Sequence, residues 1–226
     1  MQPNWKACPS DEQMKHYTHA MVAFLVTYPT YRSGADNCAG ETTCTVQTAP
    51  GCGGKTLAAM VSDFQALGVK VILSFGGAGM GGSWDGVDKC WEHCYGKVGS
   101  LSQQLAGVVA SSGADGLDID YEYFTETMQA VEFLTDLNTA LRQDLPPNVL
   151  LTHAPMDVDI CTTATAPLCR DSYMNVLKAQ EDLIDFIMPQ YYNGVGTKNF
   201  LVYFYIQFTH FFCPAQLGQT QMVQSL

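Results

Sequence analysis

Segments in which apolar residues form runs of strand length alternate along this chain with segments in which they recur at helical spacing. Runs of strand length predict five strands, near residues 17–26, 69–75, 116–121, 149–153 and 185–190. Apolar residues at helical spacing predict helices between the strands, one from Leu57 to an end at Gly68 and another from Met128 to Leu141. Strands that alternate with helices favour an α/β fold with a parallel sheet.

The third predicted strand carries an acid at every second position. Asp118, Asp120 and Glu122 alternate there with apolar residues. Side chains two apart on a strand point to one face, so the three carboxyl groups line up about 6.5–7 Å apart. Burial and mutual repulsion disfavour ionising all three, so at least one should stay protonated near neutral pH. Glu122 lies nearest the carboxyl end of the strand, where active sites of parallel α/β folds lie, and we predict that it donates a proton.

Two alternative interpretations involve a metal ion. The acidic row could hold a divalent cation, although no His or further Asp stands nearby in the sequence. Residues 90–94, Cys-Trp-Glu-His-Cys, could hold zinc, but no second pair of cysteines has matching spacing. Neither interpretation is favoured, and we expect neither a metal nor a cofactor.

Residues 115–122 resemble the DGxDxDxE signature of glycoside hydrolase family 18, the chitinase family. Residues 74–77, Ser-Phe-Gly-Gly, are similar to the SxGG motif that the family carries on the preceding strand, and residues 184–193 resemble the sixth strand of its plant class III and fungal branch. The resemblance implies a (β/α)8 TIM barrel that hydrolyses β-1,4-linked N-acetylglucosamine polymers with retention. It also implies that the acetamido oxygen of the substrate is the nucleophile.

The resemblance further implies a role for individual side chains around the acids. Glu122 would protonate the glycosidic oxygen and later deprotonate water, while Asp120 would orient the acetamido nitrogen. Asp118 would share a proton with Asp120, and Tyr192 would donate a hydrogen bond to the acetamido oxygen. Ser74 would supply a hydroxyl to one of the acids, and Asp115, the first acid of the signature, would give structural support.

A second group of residues is expected to contact the sugars. Its members are small, amide-bearing or aromatic, and they are Phe24, Gly76, Gly77, Trp84, Tyr123, Gln190 and Asn193. Gln190 and Asn193 would hold sugar hydroxyls, and the aromatic faces could stack on sugar rings. For Trp84 and Tyr123, a place in the hydrophobic core is an equally good interpretation.

The length of the chain predicts an incomplete barrel. It has 226 residues, whereas such a barrel typically needs ~250. Residues 4–5, Asn-Trp, resemble the close of the first strand of the family, so most of that strand is expected to be missing. Nothing after about residue 198 resembles a seventh or eighth strand. We therefore predict a partial catalytic domain over residues 1–197 and an atypical aromatic and polar tail over 198–226. The alternatives to an active chitinase are a chitinase-like glycan-binding protein and an inactive fragment.

The cysteine content indicates the cellular compartment, and the net charge limits the possible partners. Nine cysteines indicate an oxidising compartment, so we predict a secreted protein with disulfides that close short loops. The net charge of −11 argues against nucleic acid and anionic membranes as partners. The aromatic run 200–212 is shorter than the ~20 residues that span a bilayer. A neutral chitin or N-acetylglucosamine oligosaccharide suits such a protein, which we expect to be a monomer.

Overall fold

The sheet of this protein is parallel throughout the described residues. The computed structural model describes residues 7–49, 51–81, 87–123, 127–160 and 172–190. Five strands follow one another in chain order across the sheet: β1 His19–Leu25, β2 Lys70–Gly76, β3 Gly116–Asp120, β4 Leu150–His153 and β5 Phe186–Ile187. All five predicted strands are confirmed, with ends shifted by up to three residues. The predictions for residues 1–6 and for the tail lie outside the described residues.

Five α-helices occupy the described residues between and before the strands. They are α1 Asp11–Met14, α2 Leu57–Ala66, α3 Val98–Ser112, α4 Thr127–Asp144 and α5 Ser172–Gln180. The helices predicted from Leu57 and around Met128 are confirmed as α2 and α4. Helix α3 was not located from the sequence, because Gly and Ser residues interrupt its apolar spacing. None of the helices in these ranges is long and apolar enough to cross a membrane.

The core lies between the sheet and the apolar faces of the helices. Leu134, Leu137 and Leu141 of α4 are fully buried, and α4 packs between α3 and α5. All five residues of β3 are buried, as expected for the interior strand of a parallel sheet. The acidic row therefore begins inside the protein rather than on a solvated edge.

Within the described residues, three disulfides join segments that are far apart in sequence. Cys8 pairs with Cys52, Cys38 with Cys90 and Cys44 with Cys94, at separations of 44, 52 and 50 residues. The prediction of disulfides is confirmed, but the prediction that they close short loops is wrong for these three. Cys161 and Cys169 lie outside the described residues. Two of the three connect the segment after β1 to the segment after β2, because these parallel neighbouring strands bring their carboxyl ends together.

The pairing of cysteines also removes the zinc interpretation. Cys90 and Cys94 are both disulfide-bonded, so neither offers a thiolate to a metal. The described ranges contain no group of three or more His, Cys, Asp or Glu side chains that could hold a metal ion.

Candidate active site

The first acid of the row is enclosed by hydroxyl groups from both neighbouring strands. Asp118 pairs with Ser74 of β2 on one side and with Thr152 of β4 on the other. The Ser74 hydroxyl donates to Oδ2 of Asp118 at 2.7 Å, and the Thr152 hydroxyl donates to Oδ1 at 2.8 Å. Ser74 was predicted to serve an acid. Thr152 was missed, because the sequence alone does not show which residue of β4 lies beside Asp118.

The next two acids share one amide donor. Gln190 lies just beyond β5, where a bridge to Met156 continues the sheet. Its Nε2 is 2.7 Å from Oδ1 of Asp120, 3.3 Å from Oε1 of Glu122 and 3.0 Å from the carbonyl oxygen of Ala154. Asp120, Glu122 and Gln190 are all buried. The amide therefore holds both carboxyl groups at the carboxyl end of the sheet.

Burial raises the pKa of every acid in the row. The pKa of Asp118 rises to about 6 although both hydroxyl donors lower it. Burial, followed by the charges of Glu122 and Asp118, raises the pKa of Asp120 well above its usual value. Burial also raises the pKa of Glu122, against the hydrogen bonds from Gln190 and Asp120. Burial thus shifts all three groups toward the protonated form, and the row favours retaining at least one proton near neutral pH.

Asp120 and Glu122 are hydrogen-bonded to each other. This contact raises the pKa of Asp120 and lowers that of Glu122, so the two carboxyl groups titrate as a pair. Asp118 accepts hydrogen bonds from Ser74 and Thr152, and its sharing of a proton with Asp120 stays a prediction. The two hydroxyls occupy both of its oxygens because the strand register places them directly beside it.

Gly76 and Gly77 bring the end of β2 against β3. A Cβ on Gly76, whose φ is +125°, would lie 2.1 Å from the carbonyl oxygen of Asp120. The backbone N–H of Gly77 donates to that same oxygen at 2.9 Å, and a Cβ there would lie 2.9 Å from the ring of Phe24. The space that the glycines leave is filled by the backbone of Asp120 and by half-buried Phe24. In this structure the two glycines therefore contact Asp120 and Phe24.

Of the remaining residues predicted to contact the sugar, Tyr123 is among the described residues. Tyr123 is 4% exposed, and its hydroxyl donates to Oε1 of Glu92 at 2.5 Å. That burial favours the core interpretation of Tyr123 over stacking on a sugar. Trp84, Tyr192 and Asn193 lie outside the described residues, and their roles stay predictions.

Asp115 supports the opposite, amino end of β3. Its Oδ2 accepts hydrogen bonds from the backbone N–H of Val71 at 2.8 Å and from Nε2 of Gln65 at 2.9 Å. These contacts tie the start of β3 to β2 and α2. They agree with the structural role predicted for Asp115 and keep it away from the carboxyl end of the sheet.

His153 is a buried titratable residue that sequence reasoning did not single out. Its ring nitrogens lie 2.8 Å from the Tyr173 hydroxyl and 2.9 Å from Oδ1 of Asn138, on helices α5 and α4. Burial lowers its pKa to about 3, so the ring is neutral. Its partners place it on the helix-facing side of the sheet, away from the acidic row.

Buried acids at the carboxyl end of a parallel α/β sheet are an arrangement typical of the active sites of barrel enzymes. The model of the family described as Glycosyl hydrolases family 18 matches residues 3–205, and the chain belongs to this family. The resemblance seen in the sequence motifs is therefore confirmed. No curated protein sequence matches the chain significantly.

Solved structures of the family share this fold. A chitinase from Pseudoalteromonas aurantia is 25% identical with a TM-score of 0.61, and the match covers 85% of this chain and 66% of that one. A chitinase from Crocus vernus is 16% identical with a TM-score of 0.60, covering 93% and 74%. A Cycas revoluta chitinase solved with (GlcNAc)4 is 20% identical with a TM-score of 0.55, covering 84% and 52%. The chain thus spans about two thirds or less of the length of the first and third of these relatives. The family match and the shared fold confirm the predicted TIM-barrel class.

The raised pKa of Asp118 predicts a pH-dependent cost to stability. Its pKa is about 6 in the folded protein against a usual 3.8, so the folded state binds this proton more tightly. Stability from this group is therefore lost as pH rises from about 4 to about 7, by about 2 kcal/mol. Asp118→Asn cannot ionise. The free energy of unfolding of the variant, relative to the parent, should rise by about 2 kcal/mol across that range in urea titrations.

Exposed Asp182 offers the matched control for this experiment. Asp182→Asn removes a carboxyl group at the surface, where desolvation is small, and should not reproduce the rise. A free-energy difference between Asp118→Asn and the parent that stays constant from pH 4 to pH 7 would contradict the prediction.

Proposed function

We propose that this protein is a chitinase-type glycosidase that cleaves β-1,4 bonds of N-acetylglucosamine polymers with retention of configuration. The observation that carries the proposal is the single amide of Gln190 that binds both Asp120 and Glu122 at the carboxyl end of the sheet. It presents two carboxyl groups with raised pKa values at the position where barrel enzymes carry out chemistry. Degradation of chitin is the corresponding biological role.

Glu122 is the proposed general acid and base. Its raised pKa favours the protonated form, which can transfer a proton to the glycosidic oxygen as the bond breaks. The resulting carboxylate then takes a proton from the incoming water. Because Asp120 shares a hydrogen bond with it, Glu122 does not depend on solvent to keep its orientation.

The nucleophile is proposed to be the acetamido oxygen of the substrate. A retaining enzyme with two carboxylates needs them on either side of the scissile bond. Asp120 and Glu122 instead lie side by side on one strand face, joined by their own hydrogen bond and by Gln190. Neither can attack from the opposite side while the other protonates the leaving oxygen, whereas the substrate carries its own acetamido group.

Asp120 is proposed to accept the acetamido N–H as positive charge develops on that nitrogen. To do so it must release its proton, and Asp118 is a suitable acceptor because its pKa is about 6. The hydroxyls of Ser74 and Thr152 can rotate and accept when Asp118 is protonated, so no buried group loses its partner. Gln190, which was predicted to bind sugar hydroxyls, donates hydrogen bonds to Asp120 and Glu122 in this structure. Tyr192 and Asn193 keep their proposed roles toward the acetamido oxygen and the sugar hydroxyls.

The three disulfides support a place outside the cell. Cysteine pairs persist in oxidising compartments and are rare in the cytosol. We therefore propose secretion, which brings the enzyme to an extracellular polysaccharide. The presence of buried Glu122 argues against the glycan-binding alternative, in which the acid is generally lost.

Incubation of the purified chain with chitin hexaose tests the function. We expect cleavage products whose new reducing end is initially the β-anomer, read by proton NMR within minutes of mixing. Cellohexaose, which has the same β-1,4 linkage without an acetamido group, is the matched control and should not be cleaved. An initial α-anomer, or equal cleavage of both oligosaccharides, would contradict the mechanism, and absence of chitin cleavage would contradict the function.

A further inference from the structure

Glu122 is flanked by two tyrosines that contact one short helical turn. Tyr121 precedes Glu122, Tyr123 follows it, and the 3₁₀ turn Cys90–His93 lies between β2 and α3. The Trp91 ring of this turn packs on Tyr121 with centroids 4.7 Å apart. The next residue, Glu92, accepts the hydrogen bond from the Tyr123 hydroxyl at 2.5 Å. Consecutive residues of the turn thus hold the two neighbours of the proposed general acid.

The Cys90–His93 turn is itself anchored at both ends by disulfides. Cys90, its first residue, is bonded to Cys38, and Cys94, directly after its last residue, is bonded to Cys44. Just before the turn, the buried carboxylate of Asp88 accepts hydrogen bonds from the backbone and side chain of Asn37, at 3.0 and 2.7 Å. The segment after β1 therefore fixes the turn covalently and through a buried polar contact.

Trp91 and the two tyrosines lie in a closely packed part of the protein. Trp91 and Tyr121 are fully buried, and Tyr123 is nearly so. On another side of Tyr123, a Cβ added to Gly81 would lie 2.6 Å from ring atom Cδ2. Glu92 itself is exposed and reaches Tyr123 through its carboxyl group. Because densely packed interiors transmit small displacements, a shift of the buried Tyr123 ring would move the backbone that carries Glu122.

We propose that Glu92 is a positioning residue for Glu122. Through Tyr123, it holds the end of β3 so that the Glu122 carboxyl group meets the glycosidic oxygen at hydrogen-bonding distance. The inference rests on the function proposed above and adds to it a residue from a different segment of the chain. Glu92 acts on Tyr123 and does not contact the substrate. A misplacement of about 1 Å at a reacting group can cost about 100-fold in rate, so a modest loosening has a measurable effect.

The test measures kcat and KM on chitin hexaose for variants of this hydrogen bond. Glu92→Ala should lower kcat by about 10-fold with little change in KM, because the groups that hold the sugar remain. Glu92→Gln keeps an acceptor oxygen and should recover most of the loss. Tyr123→Phe removes the donor and should match Glu92→Ala, and the double variant should be no slower than either single one. Glu132→Ala, at an exposed position on α4, is the control and should leave kcat unchanged.

Each result decides the inference. A kcat for Glu92→Ala within twofold of the parent, or losses that multiply in the double variant, would overturn the positioning role while the proposed function stands. An inactive parent chain would overturn the proposed function and the inference together. Melting temperatures accompany every assay, and if Glu92→Ala does not fold, the single-atom change Tyr123→Phe decides, because a normal kcat there overturns the role.

Discussion

Glu122→Gln is expected to lower kcat on chitin oligosaccharides by about 10²–10⁴-fold, the contribution typical of a general acid and base. The glutamine amide has nearly the shape of the carboxyl group, and its oxygen can still accept from Gln190. It cannot deliver a proton to the glycosidic oxygen or take one from water. Binding of the oligosaccharide should persist, because the sugar-contacting groups are unchanged. Initial rates by chromatography of the products and affinity by calorimetry measure the two effects separately.

The control for this variant is Glu132→Gln, at an exposed position on α4. It makes the same chemical change away from the acidic row and should keep the turnover of the parent. If Glu122→Gln turned over the substrate normally, Glu122 would lose its proposed role. If it bound no oligosaccharide at all, the side chain would be needed for the shape of the site rather than for proton transfer.

Gly76→Ala is expected to lower the free energy of unfolding by more than about 4 kcal/mol, the range reached only by severe core disruptions. The added Cβ would lie 2.1 Å from the carbonyl oxygen of Asp120 and 2.8 Å from Cζ2 of Trp91. Its φ of +125° is also unfavourable for alanine. Relief is difficult, since Gly76 is paired with Asp120 across the sheet. Urea denaturation followed by circular dichroism measures the loss.

Gly107→Ala provides the matched control for Gly76→Ala. Gly107 lies within α3, and an added Cβ there has no neighbour within 4 Å. The same methyl group should stabilise the helix by up to about 1 kcal/mol, because alanine has the higher helix propensity. A loss below about 1 kcal/mol for Gly76→Ala would show that the ends of β2 and β3 can separate at little cost, contrary to the close contact described above.

Features that depend on residues near one another in the chain could be predicted from the sequence. The alternation of strands and helices follows from apolar spacing, and the shared face of Asp118, Asp120 and Glu122 follows from the two-residue period of a strand. The motif around Glu122 also indicated the family. Helix α3 was not predicted, because its Gly and Ser residues weaken the apolar pattern. The folded chain nevertheless buries Leu101 and Leu105 of this helix in the core.

The sequence by itself thus determined the order of elements, the row of acids and the use of disulfides, since these are set by local spacing and composition. Only the tertiary structure decided that Thr152 lies beside Asp118, that Gln190 joins two acids and that Cys44 pairs with Cys94. Their partners are separated by 34 to 70 residues along the chain. Strand register and the meeting of loops at one end of a parallel sheet bring them together, and neither is visible in the spacing of residues along a single segment.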